Sequence, residues 1–341
     1  MKKLLLILFL GFSLLAAGCA EKRTEESKQK EINICSSLGE RMTLTLTRDF
    51  QKRYNIKANI SYLPSGDFKH RQRFMELNKG DVWLGGTAEE YFLANRANLL
   101  IPYQAKEAYK IPADMRSKQG EWTSLYLGYI AFISNRNNLK ELGLYAPTKW
   151  EDLLEPELRN EITIPDPQLG GASFGMLTSI WQLRGKEKAL AYASNLGELN
   201  PVYTKYMSEC IDQVYSGRKT IGVVPLDLAL ILEEKHEHLF ATVVKDANRN
   251  LITGVAMLKF GRNEAEAKQF IDYLISDGGQ KALQANGYRN LWPVKNYPFN
   301  DGRKELTGNI QVPTDDLAWT STYKGEIIRQ WMEASEKHPI K

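Results

Sequence analysis

The chain has 341 residues, of which 43% are hydrophobic and 25% charged, and its formal net charge is +4. That is the make-up of an ordinary globular protein with room for two domains. A nucleic-acid-binding class is excluded: there is no basic stripe with interleaved aromatics, and setting aside Lys2 and Lys3 of the leader takes the charge from +4 to +2.

Met1–Gly18 reads as a targeting segment, with Lys2 and Lys3 as its charged start and Leu4–Leu15 as an apolar core too short to span a bilayer comfortably. Leu15-Ala-Ala-Gly-Cys19 looks like a bacterial lipobox, with cleavage before Cys19 and lipid on its sulfur. Ala16 departs from that pattern, which has a larger aliphatic there, and the alternative is a plain signal peptide. Lipidation is preferred because residues 19–30 form a polar run without core-forming side chains, a flexible tether. No later segment has the apolar length to cross a membrane, so the chain is expected in the cell envelope, outside the cytoplasm, lipid-anchored on the periplasmic side or at the cell surface.

From Glu31 strand-like and helix-like runs alternate. Glu31–Cys35 is a β run, Arg41–Tyr54 a helix with Met42, Leu46, Phe50 and Tyr54 at helical spacing, and Lys57–Leu63 a strand. Asp67–Asn78 is helical, Asp81–Leu84 a buried-type strand and Ala88–Asn98 a helix. Three β–loop–α units in a row predict a parallel sheet with helices on both faces, and ligands on such sheets bind beyond the carboxyl ends of the strands. The loops there are Ser36–Gly39, Pro64–Gly66 and Gly85–Thr87.

Trp122–Asn135 is too long and apolar for one ordinary strand and carries Gly128 in its middle, so it is expected to bend from one domain into another. Pro147–Leu154 reads as a helical turn capped by Thr148, with Glu151 three residues on. Glu161–Ile164 is a strand that ends at Pro165, and small residues then lead into an apolar helix, Ala172–Leu183. Such a helix start presents bare N–H groups and the positive end of the dipole, where an anion docks readily; an ordinary strand-to-helix turn has the same composition. Further on come a helix at Lys186–Gly197, strands at Leu199–Tyr203 and Lys219–Pro225, and helices at Met207–Ser216 and Ala229–Lys235. The chain closes with strands at Leu239–Lys245 and Ile252–Lys259, helices at Glu264–Ser276 and Gly279–Ala285, and one amphipathic terminal helix, Trp319–Ala334.

Several phrases together carry a resemblance. They are Asp81-Val-Trp-Leu-Gly-Gly-Thr87, Leu142-Gly-Leu-Tyr-Ala-Pro-Thr-Lys-Trp-Glu-Asp-Leu-Leu154, and Ile162-Thr-Ile-Pro-Asp-Pro167 with the small-residue loop after it. Tyr203-Thr-Lys205 with Ser216-Gly-Arg-Lys-Thr-Ile-Gly222, and Asp277-Gly-Gly-Gln-Lys-Ala-Leu283 with Asn286-Gly-Tyr-Arg-Asn-Leu-Trp-Pro-Val294, complete the set. In order and spacing these resemble the extracellular solute-binding proteins of ABC importers, in the group of iron(III)-, 2-aminoethylphosphonate- and hexose-phosphate-binding receptors. The resemblance runs from about Glu31 to the terminal helix. It implies an α/β, two-lobed, type II periplasmic-binding-protein fold, with two crossing strands as hinge near Leu125–Ser134 and Thr253–Lys259. Lobe 1 takes residues 31–125 and 254–341 and lobe 2 takes 131–251. Binding without turnover is implied, with no enzyme activity, no cofactor, importer permease subunits as partners, and a monomeric receptor.

Cys35 and Cys210 remain once Cys19 is lipidated. An exported pair can form a disulfide. Two separate buried thiols are preferred, because the implied lobes would hold them apart and a bridge would block movement.

Iron(III) receptors of the group usually carry an adjacent Tyr-Tyr pair. None occurs here; the region reads Tyr203-Thr-Lys-Tyr206, and no metal site is expected. His236 and His238 are placed on a helix with their rings on different sides. The cleft candidates suit an anion: hydroxyls of Ser36, Ser37, Thr87, Ser173 and Thr204, and open backbone N–H groups of Gly86, Gly171 and Ala172. Asp227 would accept from a hydroxyl or amine at the ligand's other end, or simply cap a helix, and Tyr203 would pack on its organic body or in the core. A small organophosphate or phosphonate is thus the first ligand expectation and iron(III) the second. A receptor for a membrane sensor kinase is the other functional alternative.

Overall fold

The computed structural model describes residues 29–64, 68–111, 113, 116–284, 310–313 and 316–336. Cys19, the phrase Asn286–Val294 and His338 lie outside them. Glu31–Ser36 (β1) pairs in parallel with Lys57–Tyr62 (β2) and Val82–Thr87 (β3). Each is followed by a helix: Glu40–Tyr54 (α1), Phe68–Leu77 (α2) and Ala88–Arg96 (α3). Leu100–Ile101 (β4) and Thr123–Gly128 (β5) complete this side. The chain breaks at Tyr129 and re-forms as Ile130–Asn135 (β6), which belongs to a second sheet.

The second sheet contains Ile162–Pro165 (β7), Val202–Thr204 (β8), Ile221–Pro225 (β9) and Leu239–Val243 (β10), in the order β10-β6-β9-β7-β8. Its helices are Arg136–Leu142 (α4), Gly171–Arg184 (α5), Lys186–Glu198 (α6), Met207–Tyr215 (α7) and Leu226–Lys235 (α8). Leu251–Leu258 (β11) then returns to the first sheet, antiparallel to β3 on one side and to β4 and β5 on the other. Two helices follow, Glu264–Ile275 (α9) and Asp277–Gln284 (α10), and then Leu317–Thr322 (α11) and Lys324–Glu336 (α12).

Period-two alternation explains how each sheet builds two cores. In β6, Ile130 and Phe132 face one cluster while Ala131 and Ile133 face the other, and all four are fully buried. In β1 and β3, Ile32, Ile34, Val82 and Leu84 share one face and Cys35 and Trp83 the other. The α5 helix is buried on all sides over Ala172–Ile180, its hydroxyls bonded internally, because it packs against β6, β9, α6 and α12. Cys35 and Cys210 are separate buried thiols, one in β1 and the other in α7 under the second sheet, and burial pushes each up to about 12.

Three expectations need correction. The turn at Trp150–Leu154 is capped by Asp152, whose carboxylate accepts from the Thr148 and Lys149 amides at 2.8 and 3.0 Å; Glu151 pairs with Arg184 instead. The terminal helix is two helices broken at Tyr323. Finally, α12 does not belong with the first sheet: Ile327, Ile328, Trp331 and Ala334 join the core formed by Phe132, Ile164, Phe174 and Ile180. A helix with that much apolar surface goes where a matching face is open, and α6 offers one.

The approach of α12 to α6 depends on Gly197. A β-carbon there would sit 2.0 Å from the Ser335 carbonyl oxygen, a backbone atom that cannot turn aside. Gly197→Ala is therefore expected to destabilise by about 1–3 kcal/mol through overpacking. Thermal unfolding checks this; an unchanged midpoint would show that α12 is not seated against α6.

Candidate functional site

The carboxyl ends of both sets of parallel strands meet at one cavity of about 130 Å³. The first sheet supplies Thr87 and Glu89 from the β3–α3 junction, Tyr126 and Gly128 from β5, and Ile252 and Thr253 from β11. The second supplies Gly171 at the start of α5 and Pro225 and Asp227 at the start of α8, while Asn250 and Leu251 come from the returning chain. Three helices, α3, α5 and α8, thus begin at the cavity wall and turn the positive ends of their dipoles toward it.

Those starts differ in what is left to offer. In α3 a capping box occupies Thr87: its hydroxyl accepts from the Glu90 amide at 3.3 Å, and Glu90 accepts from the Thr87 amide at 2.9 Å. The α5 start has no side-chain cap. Gly170 and Gly171 have φ of +83° and +63°, in the left-handed region where a side chain is strained, which is why glycines stand there. Lys324 lies beside them. Its ammonium donates to the Gln168 carbonyl at 2.9 Å, sits 5.1 Å above the Phe174 ring, and is 3.6 Å from where a Gly170 β-carbon would be. Burial lowers the Lys324 pKa, and Glu89, Glu90 and Asp166 pull it back up.

Two carboxylates line the cavity from opposite sheets. Burial raises the Asp227 pKa, while amide hydrogen bonds at the α8 start oppose the rise. Glu89 is held by Arg249, whose guanidinium lies 2.6 Å from it. Arg249 is 2% exposed, and its guanidinium also reaches the hydroxyls of Thr178 in α5 and Thr320 in α11. It stands just before β11, where the chain passes between the sheets. Among the described residues, no group of three His, Cys, Asp or Glu side chains is placed to hold a metal.

A family model described as bacterial extracellular solute-binding protein matches residues 83–310. The chain belongs to that family. An uncharacterised protein of Haemophilus influenzae is 30% identical over 286 residues, 81% of each chain. The periplasmic binding protein AfuA of Actinobacillus pleuropneumoniae, solved with exogenous fructose-6-phosphate bound, superposes with a TM-score of 0.78 at 25% identity, over 91% of this chain and all of AfuA. Iron-bound HitA of Pseudomonas aeruginosa shares the fold, with a TM-score of 0.72 at 16% identity over 89% of this chain and 99% of HitA. The two-lobed type II architecture and the membership in this receptor group are as the resemblance implies. A solute-binding protein of this family serves binding and transport, outside the cytoplasm.

In this solute-binding protein only Thr87, Gly171 and Asp227 of the ten residues expected at the ligand line the cavity. The others are engaged elsewhere. Ser36, 1% exposed, lies 2.8 Å from the Thr43 hydroxyl and accepts from the Leu38 amide at 3.1 Å. Ser37 accepts from the Trp83 indole at 2.9 Å, and the Gly86 amide donates to the Tyr91 hydroxyl at 2.9 Å. The Ser173 hydroxyl donates to the Gly170 carbonyl and that of Thr204 to the Tyr206 carbonyl, both at 3.1 Å; Ala172 and Ser173 are buried at 0% exposure. Tyr203 packs in the core, accepting from the Trp331 indole at 3.3 Å. Small hydroxyls at strand ends satisfy local backbone as readily as ligands, and here most do so.

Sequence reasoning did not single out Glu89, Tyr126, Asn250 and Thr253, which line the cavity, nor Arg249, which pairs with Glu89, nor Lys324, beside the α5 start. For Arg249 there was a signal: Asp246-Ala-Asn-Arg-Asn250 is a polar run between two apolar strands at a chain crossing. Lys324 had none, since its position depends on where α12 docks.

Proposed function

We propose that this protein is the lipid-anchored receptor of an ABC importer and that it captures a small phosphorylated or phosphonate-bearing organic solute between its lobes. The observation that carries this reading is the uncapped α5 start at Gly170–Gly171, where Gly171 lines the cavity and the Lys324 ammonium lies beside Gly170. Bare amides at a positive dipole end together with a partly desolvated cation suit a phosphate. Glu89, Asp227 and Asn250 then accept from, or donate to, the hydroxyls or amine of the ligand's body. The fructose-6-phosphate seen with AfuA has that division, an anionic end and a donor-rich end. Cys19 carries the lipid and residues 19–30 the tether, and the receptor acts as a monomer. Iron(III) is the second reading, supported by one observation: the Tyr126 phenol and two carboxylates, all hard oxygen donors, border the same cavity.

Titration calorimetry on the full chain in detergent separates the two. Fructose 6-phosphate, 2-aminoethylphosphonate and ferric nitrilotriacetate serve as probes. Micromolar or tighter binding of an organophosphate or phosphonate supports the first reading. Tight iron binding with no response to either organic probe overturns it.

A further inference from the structure

His236 and His238 are not on a helix. The α8 helix stops at Lys235, and His236 is extended, with φ −138° and ψ 105°. The Leu239 amide donates to the His236 carbonyl at 2.9 Å, so His236–Leu239 is a tight turn leading into β10. This turn brings both imidazoles against one aromatic ring. Tyr215, at the end of α7, lies 4.8 Å from the His236 ring and 5.1 Å from the His238 ring, and the two imidazole centres are 6.0 Å apart. Tyr215 is 47% exposed and both histidines are partly exposed, so the cluster faces solvent.

We propose that His236 and His238 form an open binding site for a borderline divalent transition metal, of the Ni²⁺, Cu²⁺ or Zn²⁺ class. Nitrogen–metal distances of about 2.0–2.1 Å put two imidazoles on a shared ion with ring centres roughly 5–6 Å apart, and the 6.0 Å separation here is compatible with that. The tautomer is also arranged. The His238 Nε2 lies 3.1 Å from the Tyr215 carbonyl oxygen, which can only accept, so Nε2 carries the proton. In the neutral ring this leaves Nδ1 as the lone-pair nitrogen. A ligating histidine that donates its other N–H to a backbone carbonyl is the usual supporting contact of metal sites. Imidazole selects borderline divalent ions over the oxygen-seeking Mg²⁺ and Ca²⁺. With two protein ligands, water fills the remaining positions. The site is separate from the cleft: α8 has Asp227 in its first turn and His236 just past its end, and ten residues span about 15 Å.

The test is calorimetry with NiCl₂ on the tag-free full chain in detergent without chelator. One Ni²⁺ per chain is expected, and His236→Ala or His238→Ala should each weaken it at least tenfold, while His70→Ala leaves it unchanged. As a second measurement on the unmutated chain, Zn²⁺ should protect His236 and His238, but not His70, from diethyl pyrocarbonate, as mapped by mass spectrometry. Absence of heat and of protection overturns the proposal, as does binding that survives both alanine variants or protection confined to another histidine.

Discussion

Arg249→Met is expected to lower stability by about 3 kcal/mol, at the lower end of the range for breaking a buried ion pair by removing one partner. Methionine replaces the aliphatic stem of Arg249 but not the guanidinium that joins Glu89 of α3, Thr178 of α5 and Thr320 of α11. Glu89 keeps 21% side-chain exposure, so water recovers part of its solvation, which is why the lower end applies. Scanning calorimetry of the single variant and of Arg249→Met/Glu89→Gln checks the cause. Neutralising the stranded carboxylate should restore a good part of the loss. If the double variant unfolds no later than the single one, Arg249 acts through packing rather than through Glu89. Space is reserved for this side chain as well: a β-carbon at Gly175 would meet the Arg249 Cδ at 3.5 Å and Leu251 at 3.2 Å.

Lys324→Met should weaken ligand binding without lowering stability. The ammonium is held against the Phe174 ring at a desolvation cost, so its removal leaves the melting temperature unchanged or raises it. Affinity for fructose 6-phosphate should fall roughly 10- to 100-fold, corresponding to about 1.5–3 kcal/mol for a charge-assisted hydrogen bond. The salt dependence of binding should weaken with it. Calorimetry at two ionic strengths reads both effects. Equal affinity in the two proteins would remove Lys324 from the anion site, and a lower melting temperature would make it a structural cation instead.

Much of this fold was legible in the sequence because period-two and helical spacing survive wherever one face is buried. Met42, Leu46 and Phe50 marked α1, and all three are buried. The over-long apolar run with Gly128 marked the crossing, which is resolved into β5 and β6. The site was less legible, for a physical reason. A serine or threonine hydroxyl at a strand end has the same local sequence whether it meets a ligand or its own backbone. Ser36, Ser173 and Thr204 took the second course because their carbonyl and hydroxyl partners lie only two to seven residues away. The cation that holds the cleft carboxylate Glu89 comes through long-range docking: Arg249 meets it 160 positions later in the chain, as the two residue numbers show. Local pattern contains nothing about such a meeting. The break at Tyr323 was missed because Trp319, Tyr323 and Ile327 stand four apart and so keep helical spacing across it.

The position of β11 and α12 also governs when the protein can fold. β11 is flanked by β3 on one side and β4 and β5 on the other, so the first sheet stays split until residues 251–258 exist. The core beside the second sheet stays open until Ile327–Ala334 arrive. Each half therefore waits for chain made late, and neither can close as an early-synthesised unit. Closure of either half therefore depends on contacts between stretches far apart in the chain, the kind of topology that folds slowly.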